Sequence, residues 1–220
     1  MPLKLVVFDM DQTLVNSTAC ICNATNAGLK AIGKPTMAPE KIRPKIGMQT
    51  WRFLQLFSGE KDIQKSEQLI TAYKAYFKEH CLKECTLYDG VKETLAALQQ
   101  KKIRLAIATT AKLELAVRLL KGLGIVDYFD LMVGEEVIHH EKPDPESLFM
   151  IADHFKIDPD DAFMVGDTVM DVEAGKSAGM HTVAVTYGID SRTELEGAEP
   201  DHLINSMHEL LPLLETHERR

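Results

Sequence analysis

Two carboxylates, Asp9 and Asp11, come directly after the apolar run Leu5-Val6-Val7-Phe8. If this run is a buried strand, side chains two residues apart point the same way. Like charges at that spacing repel each other unless a cation lies between them or their tasks differ. The pair is typical of a metal-assisted reaction with one carboxylate as nucleophile and the other as proton carrier, although a lone Asp-x-Asp can also be a turn or helix cap.

Other polar residues that could join this pair also follow apolar runs of strand length. They are Thr13 after the first run, Thr109 and Thr110 after residues 103–108, Lys142 after residues 131–133, and Asp167 and Asp171 after residues 162–165. Taken separately, each residue could instead have an ordinary structural role, as a strand-end hydroxyl, a solvated loop charge or a turn acid. Carboxylates are ligands that Mg²⁺ prefers, and lysine and hydroxyl groups suit phosphate. Together they predict a magnesium and phosphate site at one sheet edge.

The alternation of strand and helix patterns predicts an α/β fold with a doubly wound parallel sheet covered on both faces. The predicted strands are residues 3–8, 103–108, 131–133, 162–165 and 181–185. We expect a helix to begin at Asp144-Pro145-Glu146, with Asp144 as N-cap and Pro145 as the first helical residue. A last helix carries Leu210, Leu211 and Leu214.

Residues 16–85 have a different character, because their apolar side chains recur only at helical spacing, as in Ile63, Ile70, Tyr73 and Phe77. This segment predicts a small all-helical cap inserted after the first strand, with Ser17 as a candidate N-cap. The catalytic core would then consist of residues 1–15 and 86–220. A cap joined by two short connections could close over the sheet edge as a lid.

Composition restricts the partners. The 220 residues carry a formal net charge of −8, which disfavours nucleic acid and anionic membranes. No apolar run approaches the roughly 20 residues of a membrane span. We expect a cytoplasmic monomer or homodimer that acts on a small phosphorylated metabolite.

The cysteines and two adjacent histidines also allow a metal-binding interpretation. Cys20, Cys22, Cys81 and Cys85 have spacings that could ligate zinc, as could His139 and His140. Buried reduced thiols on helices and ordinary loop histidines are the favoured interpretation. The basic Arg43-Pro44-Lys45 turn is likewise expected to be solvated.

Four motifs in order resemble the haloacid dehalogenase superfamily of phosphotransferases. They are Asp-x-Asp-x-Thr at 9–13, Thr109 after the second strand, Lys142 before a proline, and Gly-Asp-x-x-x-Asp at 166–171. The position of the insert and the Lys-Pro-Asp-Pro and Val-Gly-Asp-Thr phrases look most like the phosphoglycolate phosphatase-like branch. The resemblance covers nearly the whole chain.

The resemblance implies a role for each matching residue. Asp9 would attack phosphorus and form an aspartyl-phosphate, and Asp11 would protonate the leaving oxygen and later deprotonate water. Asp9, the backbone carbonyl of Asp11, and Asp167 would hold Mg²⁺, with Asp171 near or on the metal. Lys142 would neutralise the phosphoryl group. The expected substrate-binding hydroxyl groups are those of Thr13, Thr109 and Thr110.

Two departures from the family pattern concern Gln12 and Thr110-Ala111. Gln12 stands where this branch usually has glycine; glutamine should be tolerated there if it keeps a negative φ, but it could narrow the site. Thr110-Ala111 replaces Asn-Lys, which removes an amide and a cation near the substrate and puts the substrate preference in doubt.

The predicted function is a Mg²⁺-dependent phosphatase for a phosphoglycolate-like compound or a sugar phosphate. A phosphomutase of the β-phosphoglucomutase type shares the whole site and is the alternative. A haloacid dehalogenase is disfavoured, because it needs no Mg²⁺ and typically lacks the second carboxylate of the first motif. A non-catalytic binding module is disfavoured by the intact pair of Asp9 and Asp11.

Overall fold

Six parallel strands form one central sheet in the structure, a computed structural model that describes residues 3–217. In chain order the strands are β1 (Leu5–Phe8), β2 (Val15–Asn16), β3 (Thr86–Leu87), β4 (Arg104–Ala108), β5 (Leu131–Val133), β6 (Ala162–Gly166), β7 (His181–Val185) and β8 (His202–Ile204). The sheet order is β5-β4-β1-β6-β7-β8, and each pair of neighbours is parallel. The predicted doubly wound α/β fold is confirmed.

Strand β1 lies where the direction of winding reverses, between β4 and β6. Its side chains are fully buried and alternate between two faces: Leu5 and Val7 pack into one hydrophobic cluster, and Val6 and Phe8 pack into the other. A strand buried on both faces needs a continuous apolar run, which explains why β1 could be predicted from its sequence. Ligands of such sheets bind at this reversal, beyond the carboxyl ends of the strands.

Ten helices are assigned among residues 3–217, and they cover both faces of the sheet. They are α1 (Thr18–Ala31), α2 (Pro39–Ile42), α3 (Thr50–Ser58), α4 (Ile63–Glu84), α5 (Val91–Gln100), α6 (Leu113–Gly122), α7 (Glu146–Phe155), α8 (Val169–Ala178), α9 (Arg192–Gly197) and α10 (Leu210–His217). In this described part, no helix is long and apolar enough to cross a membrane.

Between β2 and β3 the regular structure is helical, comprising α1 to α4 and a 3₁₀ turn. Strands β2 and β3 pair antiparallel where this segment leaves the sheet region and returns to it. Helices α1 and α4 pack along each other, and the four cysteines are buried, as expected. The division into a core and a cap stays a prediction.

The buried stripe of α4 consists of Leu69, Tyr73, Phe77 and Cys81, each four residues from the next. Ile63 was placed in this pattern, but it is the first residue of the helix and 76% exposed. All four residues of the predicted pattern, from Ile63 to Phe77, lie in α4, so the helical spacing was interpreted correctly.

One predicted helix start also differs from the structure, and two elements were not predicted. Helix α7 begins at Glu146, with Pro145 in the N-cap position; Asp144 accepts a hydrogen bond from the Glu146 N–H at 2.9 Å. Helix α9 was not predicted. Strand β8 was not predicted either, because Leu203-Ile204 is too short an apolar run to indicate a strand.

The turn after β1 places Gln12 at φ +68°, so the condition of a negative φ, under which we expected glutamine to be tolerated, is not met. The Gln12 N–H donates to the Val15 carbonyl at 2.7 Å, which fixes this conformation. With the amide oriented to match its neighbours, its oxygen accepts from the N–H groups of Ser17 and Thr18 at 3.1 Å, and its nitrogen donates to the Tyr88 hydroxyl at 3.0 Å. The Gln12 amide thus caps α1, the task we expected of Ser17, whose side chain makes no capping bond.

We expect Gln12→Gly to be more stable than Gln12→Ala, although both lose the amide contacts. Alanine in the left-handed region costs about 1–2 kcal/mol. Glycine loses about 0.4–1 kcal/mol more on folding. The difference in the free energy of unfolding should therefore be about 0.5–1 kcal/mol in favour of glycine. Urea denaturation of both variants measures it, and equal or reversed stabilities would contradict the assigned backbone conformation.

Candidate active site

The ammonium group of Lys142 lies at the centre of a buried charge cluster. Its Nζ is 2.7 Å from Asp9 Oδ1 and 2.5 Å from Asp171 Oδ1, and it donates to the Ala108 carbonyl at 3.1 Å. All three charged side chains are buried. These contacts bring together the ends of β1 and β4, the loop after β5 and the start of α8, as the sequence predicted.

Asp167 follows β6 directly and faces the same cluster. Its Oδ1 accepts from the Thr13 hydroxyl at 2.8 Å, and its Oδ2 accepts from the Ile189 N–H at 2.8 Å. A Cβ on Gly188 would lie 2.2 Å from the Cβ of Asp167, so only glycine allows the loop after β7 to approach so closely. This loop was missed, because its contact with Asp167 is made by a backbone N–H group, which carries no sequence motif.

Asp171 has two roles at the start of α8. With Thr168 it forms a reciprocal cap: its Oδ2 accepts from the Thr168 N–H at 3.1 Å, and the Thr168 Oγ1 accepts from the Asp171 N–H at 3.3 Å. Its other oxygen contacts Lys142. The two oxygens of this acid thus serve different partners, and its predicted role near the metal stays a prediction.

A further capping acid, Asp190, was not found from the sequence. Its Oδ2 accepts from the Val169 N–H at 2.7 Å, also at the start of α8. The nearby Tyr187 hydroxyl donates to the Thr13 carbonyl at 2.9 Å. The loop after β7 thus holds both the first turn of α8 and the turn after β1.

Asp11 lies where two small cavities meet. One cavity, of about 10 Å³, contains Asp9, Lys142 and Asp167; the other, of about 30 Å³, extends towards Tyr73. The Ser17 hydroxyl donates to Asp11 Oδ1. Burial raises the pKa of Asp11 to about 6, although the hydrogen bond from Ser17 opposes this shift.

The hydroxyl groups of Thr109 and Thr110 are both engaged in this structure. Thr109 Oγ1 accepts from the Ala111 N–H at 3.1 Å. Thr110 Oγ1 donates to the Gly47 carbonyl at 2.8 Å, and thus links the end of β4 to the helical segment. Their predicted binding of substrate stays a prediction.

Two acids from the sheet side hold the start of α3. The N–H of Thr50 donates to Glu135 Oε2 at 2.7 Å, and the N–H of Gln49 donates to Glu141 Oε2 at 2.8 Å. The guanidinium group of Arg52 also contacts Glu141. Since an α-helix begins with unsatisfied N–H groups, carboxylates at this end are stabilising. These contacts therefore attach the helical segment to the loop that carries Lys142.

Arg43 adds a further contact between the helical segment and the loop after β7. Its guanidinium group donates to the Gly188 carbonyl at 2.5 Å. Arg43 is exposed, as we expected of the basic turn, but it also has this acceptor, a backbone carbonyl 145 residues away that no local sequence pattern indicates.

The charge cluster fits a divalent cation. Carboxylate oxygens of Asp9, Asp167 and Asp171 all lie within 4.8 Å of one another. Among the described residues, Lys142 is the one cation in contact with them. Burial raises the pKa of Asp9 to about 7 and holds that of Asp167 well above its usual range, since ionised forms lack enough compensating charge. Hard oxygen donors with surplus negative charge suit Mg²⁺.

A second group of possible ligands lies on the surface, at His140, Asp144 and Glu146. The Oε2 of Glu146 already accepts from the N–H groups of His139 and His140, at 2.9 and 2.7 Å. These bonds shape the loop that presents Lys142, and they account for the acid without a metal.

Known proteins resemble this chain over nearly its whole length. A phosphoglycolate phosphatase from Nitrosococcus oceani is 29% identical over 216 residues, which cover 96% of this chain and 96% of that protein. A protein from Dickeya dadantii described as the probable phosphatase IndB is 32% identical, covering 94% of this chain and 91% of its own length.

The fold agrees with these sequence matches. A crystal structure of a predicted phosphoglycolate phosphatase from Haemophilus somnus superposes with a TM-score of 0.89 at 26% identity, covering 96% of this chain and 97% of that one. The sequence model of the haloacid dehalogenase-like hydrolases matches residues 6–185, which include the motifs around Asp9, Thr109, Lys142 and Asp167. The chain belongs to the haloacid dehalogenase-like hydrolase family.

Proposed function

We propose that this protein is a Mg²⁺-dependent phosphatase that hydrolyses a small phosphorylated metabolite through an aspartyl-phosphate. The observation that carries the proposal is the placement of Lys142 between Asp9 and Asp171, with Asp167 facing them. The same cluster offers a nucleophile, a cation for the phosphoryl oxygens and oxygen ligands for a metal. Phosphoryl transfer depends mostly on such positioning and charge stabilisation.

Asp9, the backbone carbonyl of Asp11, and Asp167 would hold Mg²⁺, and Asp171 lies close enough to assist. When bound, the metal would supply Lewis-acid stabilisation of phosphoryl charge. Lys142 keeps one oxygen of Asp9 in place, so the other oxygen is available to attack. The ammonium group then faces the incoming negative charge.

The reaction proceeds in two displacements. In the first, a carboxylate oxygen of Asp9 bonds to phosphorus, the ester P–O bond breaks, and Asp11 gives a proton to the leaving oxygen. In the second, Asp11 takes a proton from water as the water oxygen bonds to phosphorus and the bond from Asp9 breaks. A pKa raised to about 6 brings Asp11 closer to neutral pH than an ordinary aspartate, which suits a group that gives and then accepts a proton.

We further propose that residues 16–85 act as a lid. The two cavities beside Asp11 have volumes of about 10 and 30 Å³, which is room for only a few water molecules. These volumes are too small for a phosphorylated metabolite, and they would grow if the contacts of Glu135, Glu141 and Thr110 with the helical segment opened. Closure afterwards would shield the aspartyl-phosphate from stray water.

We expect Asp9→Asn to abolish phosphate release from a panel of phosphorylated metabolites, because the amide retains the shape but removes the nucleophilic oxygen. The loss should exceed 10³-fold, with far-ultraviolet circular dichroism unchanged. Asp153→Asn, a neutralised exposed acid on α7, is the matched control and should retain full activity. Near-normal turnover by Asp9→Asn would refute the nucleophile. Transfer to a sugar hydroxyl in place of release would indicate a mutase.

A second test detects Mg²⁺ binding through the melting temperature, without measuring activity. Mg²⁺ should raise the melting temperature of the wild-type protein, because ligands that bind the native state stabilise it. Asp167→Asn should melt higher than wild type in EDTA, since one of the mutually repelling buried carboxylates is gone, yet gain little from Mg²⁺. Differential scanning calorimetry in both buffers measures this. An equal Mg²⁺ shift in the two proteins would contradict the ligand assignment.

A third test concerns the lid. Glu141→Gln keeps an acceptor for the Gln49 N–H but loses the charge that pairs with Arg52, worth about 0.5 kcal/mol at an exposed site. The open form should become about twofold more populated. Acrylamide should then quench Trp51, the single tryptophan and a residue of α3, more strongly than in wild type.

Arg192→Gln is the control for the lid, because it removes the ion pair with Glu196 within α9, away from α3. Its quenching should equal that of wild type. Equal quenching in Glu141→Gln and Arg192→Gln would show that the Arg52 pair does not hold the segment closed.

A further inference from the structure

The second cavity beside Asp11 has a mixed lining, in which apolar side chains stand beside polar groups such as Thr50 and Thr110. Five of its ten lining residues present large apolar or aromatic side chains: Ile21, Ile46, Met48, Phe53 and Tyr73. Asp11, Ile46 and Gly47 line both this cavity and the one that contains Asp9 and Lys142. If Asp11 protonates the leaving oxygen, the leaving group lies in this second cavity while the phosphoryl group lies beside Lys142.

No Lys, Arg or His is among the described residues that line this cavity. Two cations that adjoin lining residues in the sequence are already paired: Lys112 Nζ lies 2.5 Å from Glu135, and Arg52 contacts Glu141. An anionic leaving group would therefore have no compensating cation within this cavity, and Asp11 beside it becomes ionised once it has given up its proton. Burying an unpaired charge beside a like charge is strongly unfavourable.

Tyr73 contributes a hydroxyl group to the lining of this cavity. The residue is 6% exposed, and among the described residues no hydrogen bond to this hydroxyl is recorded. A tyrosine hydroxyl without a protein partner on a cavity wall can donate to a ligand. Burial keeps the pKa of Tyr73 well above its usual range, and the hydroxyl is therefore a donor at neutral pH.

We propose that the substrate is the phosphate monoester of a small, uncharged alcohol in which a neutral oxygen accepts from Tyr73, and that carboxylated esters such as phosphoglycolate are disfavoured. This proposal rests on the proposed phosphatase reaction. The cavity volume of about 30 Å³ favours a leaving group of only a few heavy atoms.

The test compares three esters that share one branched skeleton: isobutyl phosphate, hydroxyacetone phosphate and 2-phosphoglycolate. They place a dimethyl, a neutral carbonyl or a carboxylate group at the same position. With the full chain and Mg²⁺, we expect kcat/KM for each of the two neutral esters to exceed that for 2-phosphoglycolate at least tenfold. Equal or faster hydrolysis of 2-phosphoglycolate overturns this inference and leaves the phosphatase intact.

If none of the three esters is hydrolysed, the inference is also overturned. p-Nitrophenyl phosphate then tests the phosphatase reaction itself. If this ester is hydrolysed, the proposed phosphatase function is retained. If it is not hydrolysed with Mg²⁺ present, both the substrate inference and the proposed function are overturned.

Two variants test the pocket residues. Ala111 lines the cavity, and Ala111→Lys should raise the ratio of kcat/KM for 2-phosphoglycolate to that for isobutyl phosphate at least fivefold. Ala111→Gln, of similar length but uncharged, should leave this ratio unchanged. Tyr73→Phe should lower the ratio of hydroxyacetone phosphate to isobutyl phosphate about fivefold. Ratios that do not move in Ala111→Lys and Tyr73→Phe would overturn the assignment.

Discussion

The whole site depends on the surplus of negative charge around one buried ammonium group. Lys142 contacts two carboxylates directly, and a third, Asp167, faces the same space. One cation cannot neutralise three anions in a region from which water is largely excluded. The parallel sheet makes this arrangement possible, because β1, β4 and β6 end side by side at the reversal of winding. The fold therefore assembles charges that a metal and a phosphoryl group together would balance.

Glycine allows the backbone to approach these charges closely. A Cβ at Gly166 would lie 2.3 Å from the Cβ of Asp171, and one at Gly188 would lie 2.2 Å from that of Asp167. The carboxylates therefore pack directly on main chain, and the Ile189 N–H can donate to Asp167. The strands that precede these carboxylates and the loop after β7 together fix their positions.

The sequence predicted the sheet and the residues of the charge cluster, because each acid or lysine directly follows an apolar run. It did not predict the left-handed φ of Gln12, since that conformation depends on hydrogen bonds to residues beyond the turn. It also missed Gly188 and Asp190, whose partners lie about 20 residues earlier in the chain and include backbone groups. Local patterns thus reveal what each strand end carries, while tertiary contacts decide how those groups are oriented.

The start of α1 is fastened to the turn that carries Asp11. The Gln12 amide caps this helix, and Ser17, immediately before its first residue, donates to the Asp11 carboxylate. A shift of α1 by the length of one hydrogen bond would release Asp11 from Ser17. If Asp11 is the proton donor of the proposed reaction, proton transfer depends on the position of α1: a molecule that keeps α1 from this position would meet Asp9 without an oriented acid beside it. On that proposal, the protein rejects such a molecule through its chemistry as well as through its fit.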